Sequence, residues 1–98
     1  MQNFSFSIQI LPLNANTDKV LEVVDNVIEH IKGSGLNYLV GPFETTVEGN
    51  FDDCMLLLKS CIDIASKYHE DIFANVKLHY NAEKEVLTID EKISKHIK

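Results

Sequence analysis

The first third of the chain alternates apolar and polar residues and then changes period. Side chains on one face of a strand recur every two residues, and positions 4–10 follow this rule with Phe4, Phe6, Ile8 and Ile10. The strand should stop near Pro12, which has no amide hydrogen to donate. A helix from about Asp18 to Lys32 follows, capped by Asn16 or Thr17. Its apolar stripe consists of Val20, Leu21, Val24, Val27, Ile28 and Ile31.

The middle of the chain predicts a hairpin and a second helix. Residues 36–40 and 45–49 read as two short strands joined by a bend at Gly41-Pro42. Asn50 can cap the next helix. The core stripe of that helix should consist of Phe51, Cys54, Met55, Leu58, Cys61, Ile62, Ala65 and Tyr68.

The last third alternates again and ends in a short helix. Residues 72–80 predict a fourth strand. Thr88 and Glu91 form a Thr-x-x-Glu capping box, after which a short helix carries Ile89, Ile93 and Ile97. The whole chain, 1–98, is therefore predicted to be a single domain of class α+β. Its β-α-β-β-α-β order is that of a ferredoxin-like sandwich, followed by a short C-terminal helix.

This topology predicts which polar residues share the sheet face that the two long helices leave open. The first strand should lie between the third and the fourth, which places Ser5, Ser7, Gln9, Glu44, Thr46, Glu48, Asn75, Lys77 and His79 on that face. Such a face can simply be hydrated, as in many antiparallel sheets, or it can bind a ligand.

Composition and charge reduce the number of functions that this chain could have. The formal net charge of -6 opposes binding to a phosphate backbone, so nucleic acid is not expected as a partner. No apolar run is long enough for membrane insertion, and a cytoplasmic location is the default expectation.

Cys54 and Cys61, seven residues apart on one helix, should be reduced and buried. The histidines and cysteines lack the spacing of a metal site, and no nucleophile and base stand out, so neither a cofactor nor enzymatic activity is expected.

Two neighbouring segments carry a family resemblance. GSGLNY at 33–38 and GPFETTVEGN at 41–50 resemble the turn and strand motifs of the YkoF-like thiamine-binding family, and residues 9–13 resemble its first strand. Members of that family often end the last strand with an acidic pair followed by arginine, whereas this chain has His79-Tyr80-Asn81. The resemblance implies a ferredoxin-like fold, sheet-mediated homodimers or homotetramers, and binding of thiamine or its hydroxymethylpyrimidine moiety without catalysis.

The resemblance also suggests which residues contact the ligand. Glu48 offers an acceptor for the exocyclic amine or a protonated ring nitrogen, and hydroxyl or amide groups would assist it, while flat or apolar side chains form walls. The candidate ligand-binding residues are Gln9, Ser34, Leu36, Tyr38, Phe43, Thr45, Thr46 and Glu48. Thr45 and Glu48 fall on opposite faces of a regular strand, so both reach one ligand only across a bulge or an oligomer interface.

A second interpretation remains open at this point. The chain could be a ligand-sensing or purely oligomerising domain that binds a different small molecule or none. A thiamine binder would be stabilised by its ligand through mass action, whereas an assembly domain would not respond.

Overall fold

The computed structural model describes residues 1–97, and its elements follow the predicted order. They are β1 (Phe4–Pro12), α1 (Thr17–Lys32), β2 (Asn37–Val40), β3 (Thr45–Gly49), α2 (Phe51–Ser66), β4 (Ile72–Tyr80), α3 (Ile89–Ile93) and a 3₁₀ turn (Ser94–His96). The β-α-β-β-α-β order with a short C-terminal helix confirms the ferredoxin-like prediction.

The four strands form one antiparallel sheet in the order β2-β3-β1-β4. As predicted, β1 is central and hydrogen-bonds to both β3 and β4. The core lies between one face of this sheet and the helices α1 and α2. It is formed by Phe4, Phe6, Ile8, Ile10, Val23, Val27, Ile31, Val47, Cys54, Leu57, Cys61 and Ala65.

The buried stripes of the helices are rotated relative to their predicted positions. Val23 and Leu57, absent from the predicted stripes, are buried in the core, whereas the predicted Leu21 is 53% exposed. In α2 the predicted core residues Phe51, Met55 and Ile62 are exposed, and α2 ends before Tyr68. Both helices carry more apolar residues than one stripe can bury, so docking on the sheet decided which of them are covered.

β1 ends at Pro12, where the sequence predicts that the strand stops. Pro12 is itself part of the ladder, paired with Ile72 of β4. The pairing with β3 starts at Ile8, so the last residues of β1 have a strand neighbour on one side only. A proline is tolerated there because its missing amide hydrogen can face the unpaired side.

Caps define where the helices begin. The Asn16 side chain accepts the amide of Lys19, which identifies Asn16 as the cap of α1. The Thr88–Glu91 capping box of α3 is complete in both directions. Ile97 lies beyond α3 and is 66% exposed, contrary to its predicted place on the helix.

Within residues 1–97, no helix is long and apolar enough to cross a membrane.

The two cysteines lie on the buried side of α2, as predicted. Both are free and fully buried. Burial raises the pKa of Cys54 to about 11, with smaller contributions from the charges of Asp53 and Glu48. Burial alone raises the pKa of Cys61 to about 11. At pH 8 only about one thiol in a thousand is ionised at such a pKa, so both cysteines behave as core side chains.

We expect the double substitution Cys54→Ala and Cys61→Ala to lower the free energy of unfolding by about 1 to 3 kcal/mol, because it leaves small cavities in the core. Urea denaturation measures the loss. Thiol-reactive dye should label the native protein only at the rate of global or local opening. Rapid labelling of both cysteines at pH 8 would contradict the buried assignment.

Candidate functional site

A cleft of about 310 Å³ lies on the sheet face opposite α1 and α2. Strand register builds its floor: Ser7 stands beside Thr46 on β3 and Lys77 on β4, and Ser5 stands beside Glu48 and His79 in the next row. The side chain of Leu39 on β2 and those of three residues of α3 form the walls, the latter being Ile89, Lys92 and Ile93. The cleft exists because α3 packs against a face that the ferredoxin-like topology leaves open.

The hydroxyl group of Ser7 is the least satisfied polar group of the floor. Ser7 is only 7% exposed, and its Oγ atom makes no hydrogen bond of good geometry with any of residues 1–97. A buried hydroxyl without a partner has lost its water contacts without replacement, which costs about 1 to 3 kcal/mol. A polar ligand atom in the cleft would recover this loss.

An ion pair stands at the rim. Lys77 Nζ lies 2.9 Å from Glu44 Oε1. The hydrogen bond from Lys77 lowers the pKa of the Glu44 carboxyl, and burial acts in the opposite direction. The Lys77 charge and a weak interaction with the Ser7 hydroxyl, which lies too far away or too poorly aligned for a well-formed hydrogen bond, lower this pKa further. The preceding turn fixes the backbone of Glu44. Gly41 donates its amide to the Glu44 backbone carbonyl at 2.9 Å, and a Cβ atom at Gly41 would lie 2.8 Å from that oxygen. Only glycine allows so close an approach.

Glu48 is held differently from the sequence-based expectation. It lies on the open face, as predicted, but it is 3% exposed instead of partly accessible. One carboxylate oxygen accepts Asn37 Nδ2 at 2.6 Å, and the other accepts the backbone amide of Ile89 at 2.6 Å. Both oxygens are therefore engaged within the protein, where they join β2, β3 and α3.

Three of the other candidate residues lie on or beside the open face. Thr46 lines the cleft directly. Gln9 is on the same face two residues beyond Ser7, where its Oε1 accepts Asn75 Nδ2 at 3.1 Å. Phe43 is 79% exposed and borders an adjoining hollow of about 270 Å³ that shares Leu39, Glu44 and Thr46 with the cleft.

The remaining four candidates lie elsewhere. Thr45 is paired with Ile8 and is buried on the helix-covered face, opposite to Glu48 across a regular strand. Leu36 and Tyr38 pack against the core. Ser34 closes the turn after α1, donating from Oγ to the Ile31 carbonyl at 2.7 Å and accepting the Leu36 amide. The structure therefore does not bring these four to the cleft within one chain.

Several cleft residues were absent from the candidate set. Strand alternation had placed Ser5, Ser7, Lys77 and His79 on the open face, and this signal was sufficient to find them. The residues of α3 carried no such signal, because nothing in a five-residue helix indicates the surface on which it packs.

Outside the cleft, we looked for a histidine and serine pair that could act in catalysis and for a cluster of side chains that could hold a metal ion. His30 Nε2 lies 2.7 Å from Ser60 Oγ, but that hydroxyl also donates to the Leu57 carbonyl at 2.9 Å. The single hydroxyl proton cannot serve both, so His30 acts as the donor and the pair links α1 to α2. Across residues 1–97, no group of three or more His, Cys, Asp or Glu side chains is arranged to hold a metal ion.

Known proteins are similar in sequence to this chain over nearly its full length. The thiamine-binding protein family model matches residues 6–97. A UPF0045 protein of Clostridium perfringens is 37% identical over 97 residues, covering 98% of this chain and 99% of the relative.

Solved structures are similar to this chain in both sequence and fold. Protein SP2199 of Streptococcus pneumoniae is 36% identical with a TM-score of 0.82, covering 94% of this chain and 98% of its own. A Thermotoga maritima protein named for a proposed role in thiamine biosynthesis or salvage is 32% identical, with a TM-score of 0.85 and coverages of 97% and 99%. The sequence match and the shared fold agree: this chain belongs to the thiamine-binding protein family.

Proposed function

We propose that this protein binds thiamine or its hydroxymethylpyrimidine moiety in the open-face cleft and does not convert it. The observation that carries the proposal is the cleft itself, whose floor contains a buried hydroxyl without a partner, in a chain of the thiamine-binding family. Its volume of about 310 Å³ lies at the lower end of the range for small-molecule sites.

The lining matches the chemistry of an aminopyrimidine. Such a ring is flat and apolar on its faces and carries hydrogen-bonding groups on its edge. Leu39, Ile89 and Ile93 supply aliphatic walls, while the hydroxyls of Ser7 and Thr46 supply donors and acceptors. Glu44, at the rim, offers a carboxylate to an exocyclic amine or to the thiazolium of thiamine.

Glu48 contributes to the proposed site indirectly, because it holds one wall of the cleft in place. Its carboxylate holds the first residue of α3, and α3 supplies Ile89 and Ile93 as walls. Glu48 is 3% exposed and does not line the cleft, so it offers the ligand no direct contact in this conformation. We therefore assign Glu48 as a positioning residue that sets the shape of the site.

We also propose that the chain self-associates into the homodimers or homotetramers that the family resemblance implies. β4 is an edge strand of nine residues, and Val76, Leu78 and Tyr80 on it are 37%, 57% and 45% exposed. Long apolar edge strands favour pairing with another chain. An oligomerising domain without a ligand is the second candidate function, and the same edge supports it. A cytoplasmic location remains part of the proposal.

The ligand response separates the two functions. We expect thiamine or hydroxymethylpyrimidine to raise the melting temperature of the full chain, because a ligand that binds only the folded state stabilises it. Ser7→Ala should leave the melting temperature without ligand unchanged or slightly higher, since it removes an unsatisfied hydroxyl. It should weaken binding about two- to tenfold in calorimetry. Ser66→Ala, on the exposed end of α2, is the matched control. No response to either ligand would leave only the assembly function.

Glu48→Gln tests the positioning role. A glutamine amide presents one oxygen and one NH₂ group, so one of the two donors that Glu48 accepts would face another donor. We expect a loss of about 1 to 3 kcal/mol in stability and faster hydrogen exchange at the Ile89 amide. Ligand affinity should fall because α3 is displaced. Glu29→Gln, on the exposed side of α1, should change neither quantity. Unchanged exchange at Ile89 would show that Glu48 does not hold α3.

Assembly can be measured independently of the ligand. Sedimentation velocity at micromolar concentration should show a homodimer or homotetramer, because β4 leaves apolar surface and backbone groups unpaired at the sheet edge. Val76→Lys should shift the population toward monomer by placing a charge in that surface. A single 11.1 kDa species for the unmodified chain would refute self-association.

A further inference from the structure

The charges that line the open-face cleft differ in sign from the charge of the whole chain. The chain has a formal net charge of -6. Among residues 1–97, the charged side chains that line the cleft are two lysines, Lys77 and Lys92, and one carboxylate, Glu44. Glu48 is not part of the lining, and its buried carboxylate keeps its negative charge because both of its donors are neutral. A ligand in the cleft can therefore contact two ammonium groups and one carboxylate directly.

The two lysines approach the cleft from different elements. Lys77 belongs to β4, in the same cross-strand row as Ser7 and Thr46, and is paired with Glu44. Lys92 belongs to α3 and takes part in none of the ion pairs formed among residues 1–97. An ammonium group at a cleft without a counterion is available to an incoming anion.

Neutral donors lie below these cations. Ser7 is more than nine-tenths buried, and its hydroxyl makes no well-formed hydrogen bond among residues 1–97, although it lies near the Glu44 carboxylate. The hydroxyls of Ser5 and Thr46 lie beside it on the floor. Phosphate oxygens accept hydrogen bonds from hydroxyl and ammonium groups alike. A thiazolium cation, in contrast, can pair with Glu44 but offers no acceptor to either lysine. The cleft is thus suited to a ligand that carries a negative group in addition to its ring.

We propose that the ligand of this cleft is a phosphate ester of the aminopyrimidine or of thiamine, with its phosphate between Lys77, Lys92 and the hydroxyl floor. This inference rests on the proposed function and narrows its ligand to an anionic form. The ring would lie against the aliphatic walls, and Glu44 would remain available to the amine or the thiazolium. Binding is noncovalent, and no bond is formed or broken.

Calorimetry on the full chain with matched ligand pairs tests the proposal. The pairs are hydroxymethylpyrimidine with its monophosphate, and thiamine with its monophosphate. Each ester should bind about tenfold more tightly than its alcohol, as one charge-assisted contact predicts. Lys92→Gln and Lys77→Gln should each reduce this ratio at least about threefold. Lys95→Gln, three residues beyond Lys92 and outside the cleft lining, should leave it unchanged.

Each outcome has a separate meaning. Equal affinity of esters and alcohols would overturn the anionic-ligand inference and leave the proposed function standing. The same reduction in all three lysine variants would overturn it too, because general electrostatic attraction would then explain the preference. Binding of none of the four compounds would overturn both proposals. Inorganic phosphate that binds as tightly as the esters would show that the ring contributes nothing, which also overturns both.

Melting temperatures without ligand verify that each variant folds. Lys77→Gln removes the partner of Glu44 and can affect the rim, whereas Lys92→Gln breaks no ion pair of the described residues. The Lys92 comparison therefore decides the question if the Lys77 variant is unstable.

Discussion

The cleft depends on one buried carboxylate. Glu48 is almost fully removed from water, and a carboxylate in that position is stable only when its oxygens are paired. Asn37 on β2 satisfies one oxygen, and the backbone amide of Ile89 satisfies the other. The same two hydrogen bonds that stabilise the charge thereby fix α3 over the sheet. Loss of either partner would leave a buried charge unsatisfied, so the position of α3 and the burial of Glu48 are interdependent.

This constraint turns an open sheet face into a cleft. The ferredoxin-like topology covers one face of the sheet with α1 and α2, and it leaves the other face polar because strand alternation sends Ser5, Ser7 and their neighbours outward. The short helix α3 adds aliphatic walls above those hydroxyls. Since α3 has only five residues and a single capping box, its docking should open at lower free energy than the core.

The two segments that resemble the family's motifs have different roles in the structure. Residues 41–48 form the turn and strand that position Glu44, Thr46 and Glu48 around the cleft. Residues 33–38 instead close the end of α1 and pack against the core through Leu36 and Tyr38. Proximity in sequence therefore did not mean a common site: one segment supports the fold and the other builds the surface.

The sequence by itself determined the element order, the central position of β1 and the face on which each strand residue lies, because these follow from local periodicity, capping and chain connectivity. It also placed Cys54 and Cys61 in the core. Tertiary structure alone decided that Val23 replaces Leu21 in the core, since both are apolar and only docking selects between them. It also decided that Glu48 is buried and that Lys92 reaches the cleft. Those two results depend on a contact between residues 41 positions apart, Glu48 and Ile89, and no local pattern records such a contact.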